Sequence, residues 1–209
     1  MKVAAVQRAS TPDVSANQQA AVRVLAQAAR HGAEQMALPE YFCATGRKDT
    51  DKLALREPFG DGLVLPLLSV QVKVLTVWLV GGTLPLSAVS VDDVPVRNAP
   101  LVLDPSGPCL ARHDKMHRFQ FQFRFEPGQE ACGEIRVLQP GSETVNFSRP
   151  ARAGHTCRIG LNICDAPNLF KLSRILKANR LADRRHRLPA LGHRRVLPMA
   201  PALRQPRSR

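Results

Sequence analysis

The chain has 209 residues, 44% of them hydrophobic, enough for one domain with a sizeable core. Its formal net charge is +13, yet residues 175–209 hold ten Lys or Arg against Asp183 alone, so this tail carries +9 and the body is only mildly basic. Aromatic residues make up 5%, few for a base-stacking surface, and the tail arginines are scattered among Pro and Leu, so a nucleic-acid partner is not expected.

No run of about 18 apolar residues is available to cross a membrane. The start, Met1 to Gln7, is too short an apolar run for a signal peptide. The five cysteines, Cys43, Cys109, Cys132, Cys157 and Cys164, are odd in number and lack C-x-x-C spacing. That argues against a disulfide framework or a zinc site and makes a reducing cytoplasm the expected location.

In chain order, Lys2 to Gln7 reads as a short strand, and Ser10 to Asp13 as a turn. Ala21, Val22, Val24, Leu25 and Ala28 follow helical spacing up to Arg30, and Gly32 marks the stop. Gln35 to Leu38 is a second strand, with Glu40 just beyond its carboxyl end, where open α/β sheets bind ligands. Residues 46–62 are polar and turn-rich and read as a surface loop. Leu63 to Leu75 fits a helix, although Val70, Val72 and Val74 alternate like a strand, and both readings stand.

Thr76 to Gly82 is a strand, and residues 86–97 read as a polar loop. Pro100 to Leu103 and Cys109 to Lys115 read as a hairpin whose second strand delivers Asp114 and Lys115. Residues 116–133 form a long segment in which Phe119, Phe121, Phe123 and Phe125 alternate, a pattern suited to core or oligomer contact. His113 and His117 are four apart, but on a strand-to-loop segment rather than a helix, which is a poor frame for a shared metal. Glu134, a turn at Gln139 to Gly141 and a strand near Thr144 to Phe147 follow. An apolar run, Ile159 to Ile163, then ends on Cys164 before a turn and a helix through Leu169, Leu172, Ile175 and Leu176.

A cysteine at a strand end, close to a helix amino terminus, sits where the thiolate is favoured. The same position commonly holds a small buried hydrophobe, just as a lone Glu or Lys is commonly solvated surface. A set of motifs gives Cys164 its partners. Val3-Ala4-Ala5-Val6-Gln7, Ala37-Leu38-Pro39-Glu40-Tyr41-Phe42, Trp78 to Pro85, Asp114-Lys115-Met116-His117-Arg118-Phe119, Glu134 through Gly141, and Gly160-Leu161-Asn162-Ile163-Cys164 occur in one order. In this the chain resembles the nitrilase superfamily of carbon–nitrogen hydrolases, in the branch of omega-amidase and deaminated-glutathione amidase.

The resemblance implies an α/β fold, the nitrilase-like α-β-β-α sandwich. It implies catalysis by Glu40, Lys115 and Cys164, with Glu134 orienting the lysine. The expected reaction is hydrolysis of a small amide through a cysteine thioester, with no metal or organic cofactor, in a chain able to form a homo-oligomer. The resemblance covers residues 1–176, the expected hydrolase domain. Residues 177–209 are expected to be an irregular basic Pro/Arg-rich tail, with the C-terminal part of the fold missing. After the cysteine, Asp165 to Lys171 departs from the family's Tyr-Asp-x-Arg pattern. That departure defines the alternative: an impaired, truncated homologue serving as an inert remnant or a binding partner.

Overall fold

The structure is a computed structural model and describes residues 1–46, 48, 50–87, 96–118, 134–150 and 155–163. The expectations for Cys132, Cys164, the Phe119 to Phe125 alternation, the helix after Cys164 and the tail lie outside these residues.

Strand β1 (Val3–Ala5), helix α1 (Val14–Arg30) and strand β2 (Gln35–Ala37) form the first unit, with β1 and β2 parallel. Asp13 accepts from the Ala16 N–H at 3.0 Å and caps α1, and Gly32, at φ 78°, lets the chain leave it. Asn17, Ala20, Ala21, Val24, Leu25 and Ala28 form the buried stripe of α1, one face at 3.6-residue spacing. Asn17 is the polar member. Its Nδ2 donates to the carbonyls of Thr11 at 2.6 Å and Cys43 at 3.0 Å, which ties the loop after β2 to the helix.

Residues 46–62 are not all loop, since a single helical turn, α2 (Asp51–Ala54), lies among them. Residues Val64–Leu75 are helix α3, which resolves the two readings of that stretch. Val64, Leu68 and Val72 recur every four residues and are buried, whereas Val70 and Val74 are exposed. The alternation of valines is therefore incidental. Thr76 closes α3 in the left-handed region.

Strand β3 (Trp78–Ser87) pairs parallel to β2 and antiparallel to β4 (Val96–Leu103), which in turn pairs antiparallel to β5 (Cys109–Arg112). The sheet order is β1-β2-β3-β4-β5. The expected loop at 86–97 is thus shorter than its polarity suggests, because the strands run on to Ser87 and resume at Val96. The hairpin strand ends at Arg112 rather than Lys115. Even so, the His113 N–H donates to the Pro100 carbonyl at 3.2 Å and the Lys115 N–H to the Asn98 carbonyl at 2.9 Å. Strand β6 (Asn146–Pro150) pairs antiparallel with β7 (Thr156–Gly160) in a second sheet. β6 begins later than the expected Thr144, and Leu161 to Ile163 lie beyond the end of β7.

Alternation along the strands divides the core into layers. Leu79, Leu101 and Leu103 join α1 and α3 on one face of the large sheet. Trp78, Val80 and Val102 face the other way and pack with Phe147, Ile159 and Leu161 of the second sheet and its flank. This gives a helix layer, a sheet and the beginning of a second sheet, in agreement with the α/β sandwich expected from the sequence.

Candidate active site

The site is assembled at one end of the large sheet. Between Val80 and Thr83 the pairing register of β3 and β4 slips by one residue, so Gly81 and Gly82 together oppose Leu101. Such a bulge reverses the side-chain phase, so Leu79 before it and Leu84 after it both face the helices. Gly82 sits at φ 65°, and a Cβ there would run into the Pro39 carbonyl, the Phe42 ring and Leu38. The bulge is what lets the turn after β2 lie directly on β3. The Thr83 hydroxyl then accepts from the Tyr41 N–H at 2.8 Å. Tyr41, at φ 51°, is one of two non-glycine residues with positive φ among those described. Its left-handed backbone turns the chain immediately after Glu40.

Lys115 reaches the same place from the far side of β4. Its backbone N–H is bonded to Asn98, and its carbonyl accepts from the Gly141 N–H at 2.9 Å. Glu134 opens a 3-10 turn, Glu134–Arg136, which leads into a segment docked on the start of β4. Docking is through the Val96 N–H to the Val137 carbonyl and the Gln139 N–H to the Val96 carbonyl, each 2.9 Å, with Val137 and Leu138 packed on Val96.

Three of the four residues singled out in the sequence therefore meet. The Lys115 ammonium, 3% exposed, lies 2.8 Å from Glu40 Oε1 and 2.8 Å from Glu134 Oε2. Burial by itself pulls the lysine toward neutrality, but hydrogen bonds and charge from Glu134 and Glu40 outweigh it and hold its pKa above the usual value. The Tyr41 hydroxyl donates to Glu134 Oε1 at 2.8 Å. Lys52 of α2 stands 3.9 Å from the same oxygen and 4.6 Å from the centre of the Tyr41 ring. Asn98 Nδ2 donates to Glu40 Oε1 at 2.9 Å.

Such a set can place a fixed positive charge beside a carboxylate that keeps contact with solvent, since the Glu40 side chain is 29% exposed. The fourth residue, Cys164, lies outside the described residues. Leu161 and Ile163 just before it are buried, and the Leu161 N–H donates to the Val145 carbonyl at 2.9 Å. Cys43 is a different kind of thiol. Burial, reinforced by the charge of Glu57, pushes its pKa up to about 12. Burial also raises the Cys109 thiol.

Sequence reasoning missed Asn98, Lys52 and the role of the Tyr41 hydroxyl. Asn98 falls at the edge of a stretch that reads as loop, and Lys52 looks like one more charge on a polar surface. The available signal for Asn98 was an amide side chain entering an apolar run that continues to Leu103.

The carbon–nitrogen hydrolase family model matches residues 2–181. The chain belongs to the carbon–nitrogen hydrolase family. It is 30% identical over 175 residues to omega-amidase NIT2-B of Xenopus laevis, covering 83% of this chain and 58% of that protein. It is 31% identical over 150 residues to human omega-amidase NIT2, covering 71% of this chain and 49% of that protein. The chain thus spans about half the length of the curated relatives it matches.

Solved structures share the fold, the following two among them. Saccharomyces cerevisiae Nit3, a member of branch 10 of the nitrilase superfamily, superposes with a TM-score of 0.66 at 24% identity, covering 86% of this chain and 60% of that one. A mutant amidase from Nesterenkonia sp. AN1, with the acetamide moiety of fluoroacetamide covalently added at its active-site cysteine, gives a TM-score of 0.64 at 19% identity, covering 86% and 61%. The sandwich expected from the sequence is therefore the fold of the nitrilase superfamily. Among the described residues, no helix is long and apolar enough to cross a membrane, and no group of three or more His, Cys, Asp or Glu could hold a metal.

Proposed function

We propose that this carbon–nitrogen hydrolase cleaves the amide of a small molecule, of the ω-amide type, into a carboxylic acid and ammonia. The observation that carries the reading is the buried Lys115 ammonium held between Glu40 and Glu134 at the carboxyl end of β2. Cys164 is the nucleophile. Glu40 takes its proton, and the sulfur adds to the amide carbonyl carbon. Charge develops on the carbonyl oxygen, and Lys115 meets it with a hydrogen bond. An ammonium has three donors, so one can turn to substrate while the others stay on the carboxylates. The raised lysine pKa keeps that charge in place at neutral pH.

The tetrahedral species collapses as the carbon–nitrogen bond breaks. Glu40 returns its proton to the departing nitrogen, which leaves as ammonia and leaves a thioester. Glu40 next deprotonates a water, which attacks the thioester. The thiolate departs and recovers a proton, so amide and water become acid and ammonia. Glu134 holds Lys115 in line throughout, itself fixed by the Tyr41 hydroxyl. Residues 1–176 form the hydrolase domain in this reading.

The test is ammonia release from a panel of small ω-amides by the full chain. Release that disappears in Cys164→Ala and in Glu40→Gln is expected. Release that persists in Cys164→Ala would overturn the thioester route.

A further inference from the structure

β4 is an apolar strand. Val96 and the run from Ala99 to Leu103 are buried, and one fully buried amide side chain, Asn98 at 1% exposure, stands among them. A buried asparagine that serves the fold satisfies both ends of its amide. Asn98 does not. Its Nδ2 donates to Glu40 Oε1 at 2.9 Å, while its Oδ1 is buried with no hydrogen-bond partner among the described residues. Leaving an acceptor buried and unpaired destabilises the folded state, and an apolar residue of the same shape would avoid that. What the asparagine provides at this position is the contact to Glu40. Its backbone carbonyl also accepts from the Lys115 N–H at 2.9 Å, so one residue fixes both members of the Glu40–Lys115 pair.

The geometry has a directional consequence. Glu40 Oε1 receives two donors, Asn98 Nδ2 at 2.9 Å and Lys115 Nζ at 2.8 Å, while Oε2 receives none among the described residues. A carboxylate oxygen holding two donors has little lone-pair density left to accept a third proton. Resting on the amidase reading above, we propose that Asn98 is a positioning residue for the reaction. By occupying Oε1 it reserves Oε2 of Glu40 as the oxygen that takes the proton from the nucleophile and gives it to the leaving nitrogen. The balance is that of the proposed cycle: one proton moves from sulfur to Oε2, then from Oε2 to nitrogen, with Oε1 unprotonated throughout.

The experiment uses the full chain with 13C-labelled glutamate carboxyls, the Glu40 resonance being assigned by its loss in Glu40→Gln. Asn98→Leu and the smaller Asn98→Ser are compared with wild type in that spectrum, in unfolding midpoint, and in kcat and KM for amide hydrolysis. The expected result is a displaced Glu40 resonance in Asn98→Leu, with the unfolding midpoint at or above that of wild type. In the same variant kcat falls by about tenfold to a hundredfold, the range of one hydrogen bond to a charged group, while KM stays within about twofold. Asn98→Ser, which leaves more room, displaces the same resonance and serves if Asn98→Leu does not fold. An unmoved Glu40 resonance in a folded variant would overturn the proposal, as would kcat retained within about twofold. A fall in midpoint with a raised KM and kcat retained would mark a purely structural role and overturn it too. Absence of ammonia release by wild type would instead sink the amidase reading. The carboxyl resonance would then still decide whether Asn98 governs Glu40.

Discussion

Replacing Lys115 by methionine removes the one charge that both carboxylates of the site share. Glu134 is the more exposed to the consequence, because its side chain is only 8% accessible while that of Glu40 is 29% accessible and screened by water. Without the ammonium, Glu134 keeps the Tyr41 hydroxyl at 2.8 Å and Lys52 at 3.9 Å. Breaking a buried pair by deleting one partner costs about 3–5 kcal/mol. The remaining contacts of Glu134 and the solvent access of Glu40 put Lys115→Met at the lower end, about 3 kcal/mol. Against a total stability on the order of 5–15 kcal/mol, that is a large fraction. The double variant Lys115→Met/Glu134→Gln removes the stranded carboxylate and recovers about 1–2 kcal/mol, a coupling expected of groups in contact. Urea unfolding, read at constant m-value, measures both. Lys115→Met within about 0.5 kcal/mol of wild type, or a double variant no more stable than the single, would refute the charge accounting. There is a pH signature as well. The folded pKa of Lys115 lies above the usual lysine value of 10.5, so its stabilisation is complete below that pH and is lost as pH rises through the folded value. The alkaline loss is expected in wild type and absent in Lys115→Met.

Other perturbations test the frame around the site. Gly82→Ala is expected to cost about 1–3 kcal/mol from its left-handed φ, plus the displacement of the Pro39 carbonyl, and to depress activity through Glu40. Gly60→Ala, at φ 91° with nothing within 4 Å, is the control that carries the strain alone, and thermal unfolding separates the two. His113 is buried, which lowers its pKa from 6.5, against a hydrogen bond to the Glu143 backbone and the charge of Asp114 that raise it. The unfolded chain therefore takes up a proton at 6.5 that the folded chain resists, so stability falls as pH drops below 6.5, with a slope of at most about 1.4 kcal/mol per pH unit. His113→Phe should flatten that slope in urea titrations between pH 7 and 5. Cys43 should resist iodoacetamide at neutral pH until the chain unfolds, as mass spectrometry of the labelled peptides will report, because its thiol ionises only at about 12.

Much of this molecule was written locally in its sequence. Helix α1 was legible because its apolar positions repeat with the helical period, with a turn at Ser10 to Asp13 before them and Gly32 after. Glu40, Lys115 and Glu134 were nameable because each stands in its own motif, in an order that resembles the family's. Their convergence was a different matter, since 75 and 19 residues separate Lys115 from its two partners. No pattern along the chain encodes a distance between them. The strand-like valines of α3 left two readings open because periodicity over so short a run does not distinguish a buried strand from a helix, and only packing on α1 and β3 decides. Asn98 was hidden for the same reason. An amide at the start of a strand says nothing about which carboxylate lies across the sheet. Sequence by itself determined the family, the helical period and the chemical types of the site. Tertiary structure decided which oxygen of Glu40 is held, that Lys115 is buried, and that a two-glycine bulge opens the space for the turn that carries Glu40. Hydrogen bonding and desolvation are properties of three-dimensional neighbours, and those neighbours are supplied by the sheet.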